Sequence, residues 1–143
     1  MENRKQIPVG IDDFKELIEK DTYFVDKSLF IKKIIKNVSK VILFTRPRRF
    51  GKTLNFSMLK YFLEIPEARR NRNEKQDLEY LFKDLAIYQE EKIINNHFGK
   101  YPVINFSFKK VKANNWENAK YLLKEEISRE YNRHSYLLEE NII

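Results

Sequence analysis

Gly51-Lys52-Thr53 is the stretch of this sequence with the most chemistry in it. A glycine has no Cβ, so a phosphate can approach its backbone closely. If a helix starts here, the N–H groups around Gly51, Lys52 and Thr53 are its unpaired donors, and they point at an anion. The Lys52 ammonium would reach the β- and γ-phosphates of a nucleotide, and the Thr53 hydroxyl would ligate Mg²⁺. Arg48 and Arg49 add positive charge just upstream, and Phe50 and Leu54 flank the three residues. The candidate nucleotide-contacting residues are therefore Arg48, Arg49, Phe50, Gly51, Lys52, Thr53 and Leu54, with Thr53 as the metal ligand.

The elements on either side suit that role. Residues 41–44, Val-Ile-Leu-Phe, form a short apolar run of strand formers and predict a buried parallel strand. Turn and charge chemistry follows from Thr45 to Phe50. Leu54, Met58, Leu59 and Phe62 then recur at helical spacing. A strand, a loop ending in Gly-Lys-Thr and a helix are the parts of a phosphate-binding loop. The general pattern asks for a glycine five positions before Gly51, where this chain has Arg46. Pro47 pushes Arg46 towards extended geometry and removes one backbone donor, so the loop is expected to enter stretched.

The string from Thr45 to Leu54, Thr-Arg-Pro-Arg-Arg-Phe-Gly-Lys-Thr-Leu, resembles the variant Walker A signature of the predicted AAA-ATPase-like family. Residues 7–14 and Tyr23-Phe-Val-Asp-Lys-Ser28 resemble that family's N-terminal segment, with Ser28 keeping the hydroxyl of the usual threonine. Residues 101–109 resemble its second strand. In that family Arg is normal at position 46. The resemblance implies an α/β P-loop NTPase (AAA-ATPase-like) fold with ATP and Mg²⁺ as cofactors. Members continue into a Walker B strand and commonly a C-terminal nuclease-like domain. Residues 1–143 therefore read as the N-terminal portion of the domain, with an incomplete parallel sheet. The missing half of the same protein is an expected partner. Strands 41–45 and 102–108 would not be neighbours, so both would show unpaired edges. No apolar run here ends in paired acids, so the chain is expected to bind ATP without hydrolysing it alone.

Composition bounds the rest. A length of 143 residues suits one domain, and 42% hydrophobic with 14% aromatic residues is enough for a core. The excess of 28 basic over 21 acidic residues favours anionic partners: nucleotide, nucleic acid or acidic protein. The alternative to an ATP module is a basic nucleic-acid-binding or protein-interaction module with a degenerate nucleotide site. There is no cysteine, and the two histidines, His97 and His134, lack ligand-spaced partners, which argues against zinc. The N-terminus has no apolar signal region and no stretch approaches the roughly 20 apolar residues that span a bilayer. A cytoplasmic chain without membrane contact is expected.

Along the chain, Asp12 or Asp13 is expected to cap a short helix carrying Phe14, Leu17 and Ile18, with Glu16 at capping-box spacing. A helix is expected over 26–37, another from Thr53 to before Pro66, and shorter ones over 77–85 and 90–98. Asp26 and Lys27 have two readings: a helix cap with a surface lysine, or a Tyr23 to Lys27 segment beside the bound nucleotide, near its base or ribose. Arg69, Arg70 and Arg72 read as a solvated loop, or as a nucleic-acid contact. After a Gly99-Lys100 turn and the second strand, Asn114 with Glu117 predicts the cap of a long helix. Trp116, Ala119, Leu123, Ile127 and Tyr131 are expected in its core face.

Overall fold

The computed structural model describes residues 5–65 and 78–139. They divide between two compact units, Met1–Tyr101 and Pro102–Ile143. The arginine cluster at 69–72, Pro66 and the last four residues lie outside the described residues.

In the first unit, α1 (Phe14–Glu19) starts at Asp13, whose Oδ1 accepts the Glu16 N–H at 3.0 Å. The reciprocal half of the expected capping box is replaced: the Glu16 carboxylate accepts instead from Lys20 Nζ at 2.6 Å. The other Asp13 oxygen accepts from the Ser57 hydroxyl and the Tyr61 phenol, both at 3.0 Å. Ser57 in turn accepts the Phe14 N–H at 2.9 Å. One carboxylate thus caps α1 and latches it to α3 (Lys52–Leu63). Burial and the Asp13 charge both push the Tyr61 phenol well above its ordinary range, which keeps it a donor.

Between these lies α2 (Leu29–Ile35), which begins later than expected from the pattern. Asp26 and Ser28 are occupied in contacts outside the helix, described below. After α3 the chain turns extended at Glu64 and makes a parallel bridge with Tyr101, the one isolated β-bridge among the described residues. The helix expected over 77–85 is instead a 3₁₀ turn at Glu79–Leu81, followed by another at Ala86–Gln89. Leu85 between them is extended, and a helix cannot pass through it. The apolar face is still used, since Leu81, Phe82 and Leu85 are all buried. Then α4 (Glu91–His97) ends before Gly99, which takes φ +64°.

The core of this unit is aromatic. Phe82 is fully buried, with ring centroids 5.2 Å from Phe14, 5.4 Å from Phe62 and 5.7 Å from Phe98. Ile31, Met58, Ile87 and Ile93 close around those rings. Residues 41–44 form no ladder with any described segment. One side of this stretch packs inward: the Phe44 ring sits 5.1 Å from Phe30 of α2 and 5.5 Å from Phe56 of α3. The other side is open, with Val41 at 84% and Leu43 at 82% exposure. An apolar run buried on both faces was expected; the structure covers one face.

In the second unit, residues 102–107 are without a ladder, and Ile104 and Phe108 are exposed. After a 3₁₀ turn at Phe108–Lys110, α5 (Trp116–Arg133) is capped by Asn115, whose Oδ1 accepts the Asn118 N–H at 2.9 Å. The cap thus falls one residue after the expected Asn114. No residue of α5 is buried. Trp116, Ile127 and Tyr131 are 67%, 54% and 63% exposed, so the expected core face is a surface face here. Spacing tells which side of a helix is apolar but not what covers it. Polar contacts hold α5 in place. Arg133 Nη2 donates to the Val103 carbonyl at 2.5 Å, and Glu130 accepts the Asn105 N–H at 3.1 Å. Burial pulls the Glu130 carboxyl up, but the Arg133 and Asn105 hydrogen bonds outweigh it and hold the group below its ordinary value. A short helix, α6 (Tyr136–Glu139), ends the described chain.

Candidate phosphate site

The loop ahead of α3 has two residues in the left-handed region, Arg49 at φ +66° and Gly51 at φ +69°. Glycine takes that conformation freely; arginine does so at a cost of about 1 kcal/mol. A Cβ built on Gly51 would meet nothing within 4 Å, so the space beside its Cα is open. The Asn55 N–H bonds to the Gly51 carbonyl at 2.9 Å as the first bond of the helix, and the N–H groups of the first turn have no acceptor within the helix. Lys52 Nζ donates to the Arg46 carbonyl at 2.5 Å and so closes the loop from end to end.

Beside this loop lies a cavity of about 440 Å³. Phe30, Phe44, Phe50 and Phe56 give it aromatic walls, and Lys27, Lys33, Arg46 and Lys52 give it cations. Its other described lining residues are Leu, Ile and Asn, so none of the described lining side chains is a carboxylate. The local fold explains this. Residues 41–46 run between α2 and the start of α3, and the edge-on contacts of Phe44 with Phe30 and Phe56 fix their spacing.

Of the residues expected at the site, Phe50 and Lys52 line this cavity. Arg48, Arg49 and Thr53 are exposed beside it and Gly51 is half-exposed. Leu54 packs against the hydrophobic core instead. Lys27, carried in one of the two readings above, Arg46 of the loop itself, and Lys33, which the sequence did not single out, join the lining. The surplus of lysine on α2 was the available signal for Lys33.

The two readings of Asp26 and Lys27 separate in the structure. Asp26 Oδ1 accepts the Ser28 N–H at 2.7 Å and Oδ2 accepts the Ala86 N–H at 2.7 Å. The buried Ser28 hydroxyl accepts the Ile87 N–H at 3.0 Å. Asp26 and Ser28 therefore clamp the start of α2 to the 3₁₀ turn at Ala86–Gln89, while Lys27 between them lines the cavity. Burial raises the Asp26 pKa, but the Ala86 and Ser28 hydrogen bonds prevail and leave it below 3.8. A carboxyl with a lowered folded-state pKa stabilises above its unfolded value, and that contribution is lost as pH falls through the folded value. Asp26→Asn should cost about 1 kcal/mol at neutral pH, given its exposure. Urea titrations of both proteins should show the gap closing as pH falls below the ordinary 3.8.

A helix N-terminus opening beside a cationic, aromatic-walled cavity has the chemistry of a site for an anion carrying a flat ring. The chain belongs to the predicted AAA-ATPase family, which matches residues 8–141. A stretch of 53 residues is 43% identical to an uncharacterized protein in the vnfD 5′ region of Azotobacter chroococcum mcd 1. That match covers 36% of this chain and 10% of the relative. No solved structure matches. Among the described residues, no helix is long and apolar enough to cross a membrane, and no three His, Cys, Asp or Glu side chains cluster as a metal site.

Proposed function

We propose that this chain is an ATP-binding module of an AAA-like P-loop ATPase, taking up ATP and Mg²⁺ through the 46–53 loop. The observation that carries this reading is Lys52. It lies at a helix N-terminus and lines a cavity whose described lining holds four cations and no carboxylate. Membership of the predicted AAA-ATPase family agrees with it. In this reading residues 41–44 are the first strand of an α/β sheet, which accounts for the apolar side left open at Val41 and Leu43. Phosphate fits the residues present: left-handed Gly51 leaves the backbone open to it and Lys52 supplies charge. Mg²⁺ would take the Thr53 hydroxyl as a ligand, and when bound it would neutralise charge on the phosphates. Hydrolysis also needs a carboxylate to help hold the ion and a polar group to orient water. The cavity lining supplies no such carboxylate.

Titration with a fluorescent ATP analogue, with and without Mg²⁺, followed by a phosphate-release assay, tests the proposal. Saturable binding that Mg²⁺ tightens, without steady phosphate release, is the expected outcome. Absence of saturation at about 1 mM nucleotide, where affinity would be weaker than about 4 kcal/mol, would sink it. Steady Mg²⁺-dependent turnover would show that this chain supplies a catalytic carboxylate after all.

A further inference from the structure

Among the described cations of the first unit, Lys5, Lys15, Lys20, Lys32 and Lys60 each pair with a carboxylate: Asp21, Glu19, Glu16, Glu90 and Glu64. Lys27, Lys33 and Arg46 line the cavity with Lys52, and no described carboxylate pairs with any of the three. Cations gathered in one place without counter-charge repel one another, and an anionic ligand removes that repulsion. Lys27 differs from the other two in how its backbone is held. Both of its neighbours are fixed side chain to backbone, Asp26 onto the Ala86 N–H and Ser28 onto the Ile87 N–H. These bonds cross from α2 to a different part of the chain, so the stem of Lys27 starts from a fixed point at the cavity. A nucleoside triphosphate carries more negative charge than one ammonium can match, and each charge-assisted contact to phosphate is short and strong.

We propose that Lys27 is a phosphate-binding residue of the same ligand site, meeting the polyphosphate tail from the α2 side of the cavity. The proposal rests on the nucleotide reading above. It assigns the Asp26-Lys27-Ser28 triplet a divided role. The outer two residues hold the backbone and the middle one holds the ligand.

The test is competition against a bound fluorescent ATP analogue on the full chain, using unlabelled ATP, AMP and inorganic tripolyphosphate. Lys27→Ala should weaken ATP and tripolyphosphate by about tenfold, the size of one charged hydrogen bond, and AMP by clearly less. Lys27→Arg should restore most of the loss, since it returns the charge. Thermal melts should overlay, because Lys27 is exposed. Unchanged ATP and tripolyphosphate affinity in Lys27→Ala, with binding still lost in Lys52→Ala, would overturn the role of Lys27 and leave the nucleotide site standing. An equal loss for all three competitors would also overturn it, since that pattern belongs to a distorted cavity. No effect of either substitution would overturn the nucleotide reading itself, and the Lys27 proposal with it.

Discussion

Replacing Phe82 with alanine is expected to cost about 3–5 kcal/mol of stability, the range for truncating a fully buried aromatic side chain. Phe82 is the shared neighbour of Phe14, Phe62 and Phe98, which come from α1, α3 and the end of α4. Its removal leaves three rings facing a void, and rings in edge-on contact cannot move together without losing their other partners. Small domains are stable by only about 5–15 kcal/mol in total, so the variant should unfold at much lower urea, with part of the population unfolded in buffer. Equilibrium urea unfolding followed by far-ultraviolet circular dichroism measures this. The control is Phe108→Ala. That ring is 70% exposed in the second unit, and the change should stay within about 0.5 kcal/mol. A Phe82→Ala midpoint equal to that of the control would mean that the aromatic cluster does not hold this unit together.

Lys52→Ala should cost about 1.5–3 kcal/mol of ATP affinity, or roughly tenfold to a hundredfold in Kd, the range for a hydrogen bond to a charged group. In the structure its ammonium bridges the loop to the Arg46 carbonyl, so it is already held at the cavity before any ligand arrives. The substitution removes both the charge and that bridge. Lys52→Arg should recover little, because a planar guanidinium spreads its charge over a rigid fork and does not reproduce the compact point charge of an ammonium. Titration with the fluorescent analogue reads the loss, and undiminished binding by Lys52→Ala would end the phosphate-loop assignment. The Arg46 carbonyl is also instructive about the departure from the general pattern. What this position gives to Lys52 is a main-chain oxygen, which every residue has. Glycine is not needed there for that contact.

The sequence alone determined where elements start and stop wherever a local interaction does the work. Asp13 caps α1 through its own helix, α3 starts at Lys52, one residue ahead of the expected Thr53, and it stops ahead of Pro66 as expected before a proline. It also pointed to Phe50 and Lys52 at the cavity, since a loop and a helix N-terminus are contiguous in the chain. The cap of α5 was misplaced by one residue because Asn114 and Asn115 are equivalent candidates by type, and only the backbone decides which one bonds forward. Tertiary structure alone decided the rest. The helix expected over 77–85 yields to a 3₁₀ turn at Glu79–Leu81, and just beyond it the Ala86 and Ile87 N–H groups donate to Asp26 and Ser28, about 60 positions away in the chain. The same long-range bonds divided Asp26 from Lys27, a separation no local pattern could express. Apolar spacing at residues 41–44 and along α5 identified which residues seek cover. Whether cover is found depends on what packs there, and burial is a property of the neighbours, not of the segment.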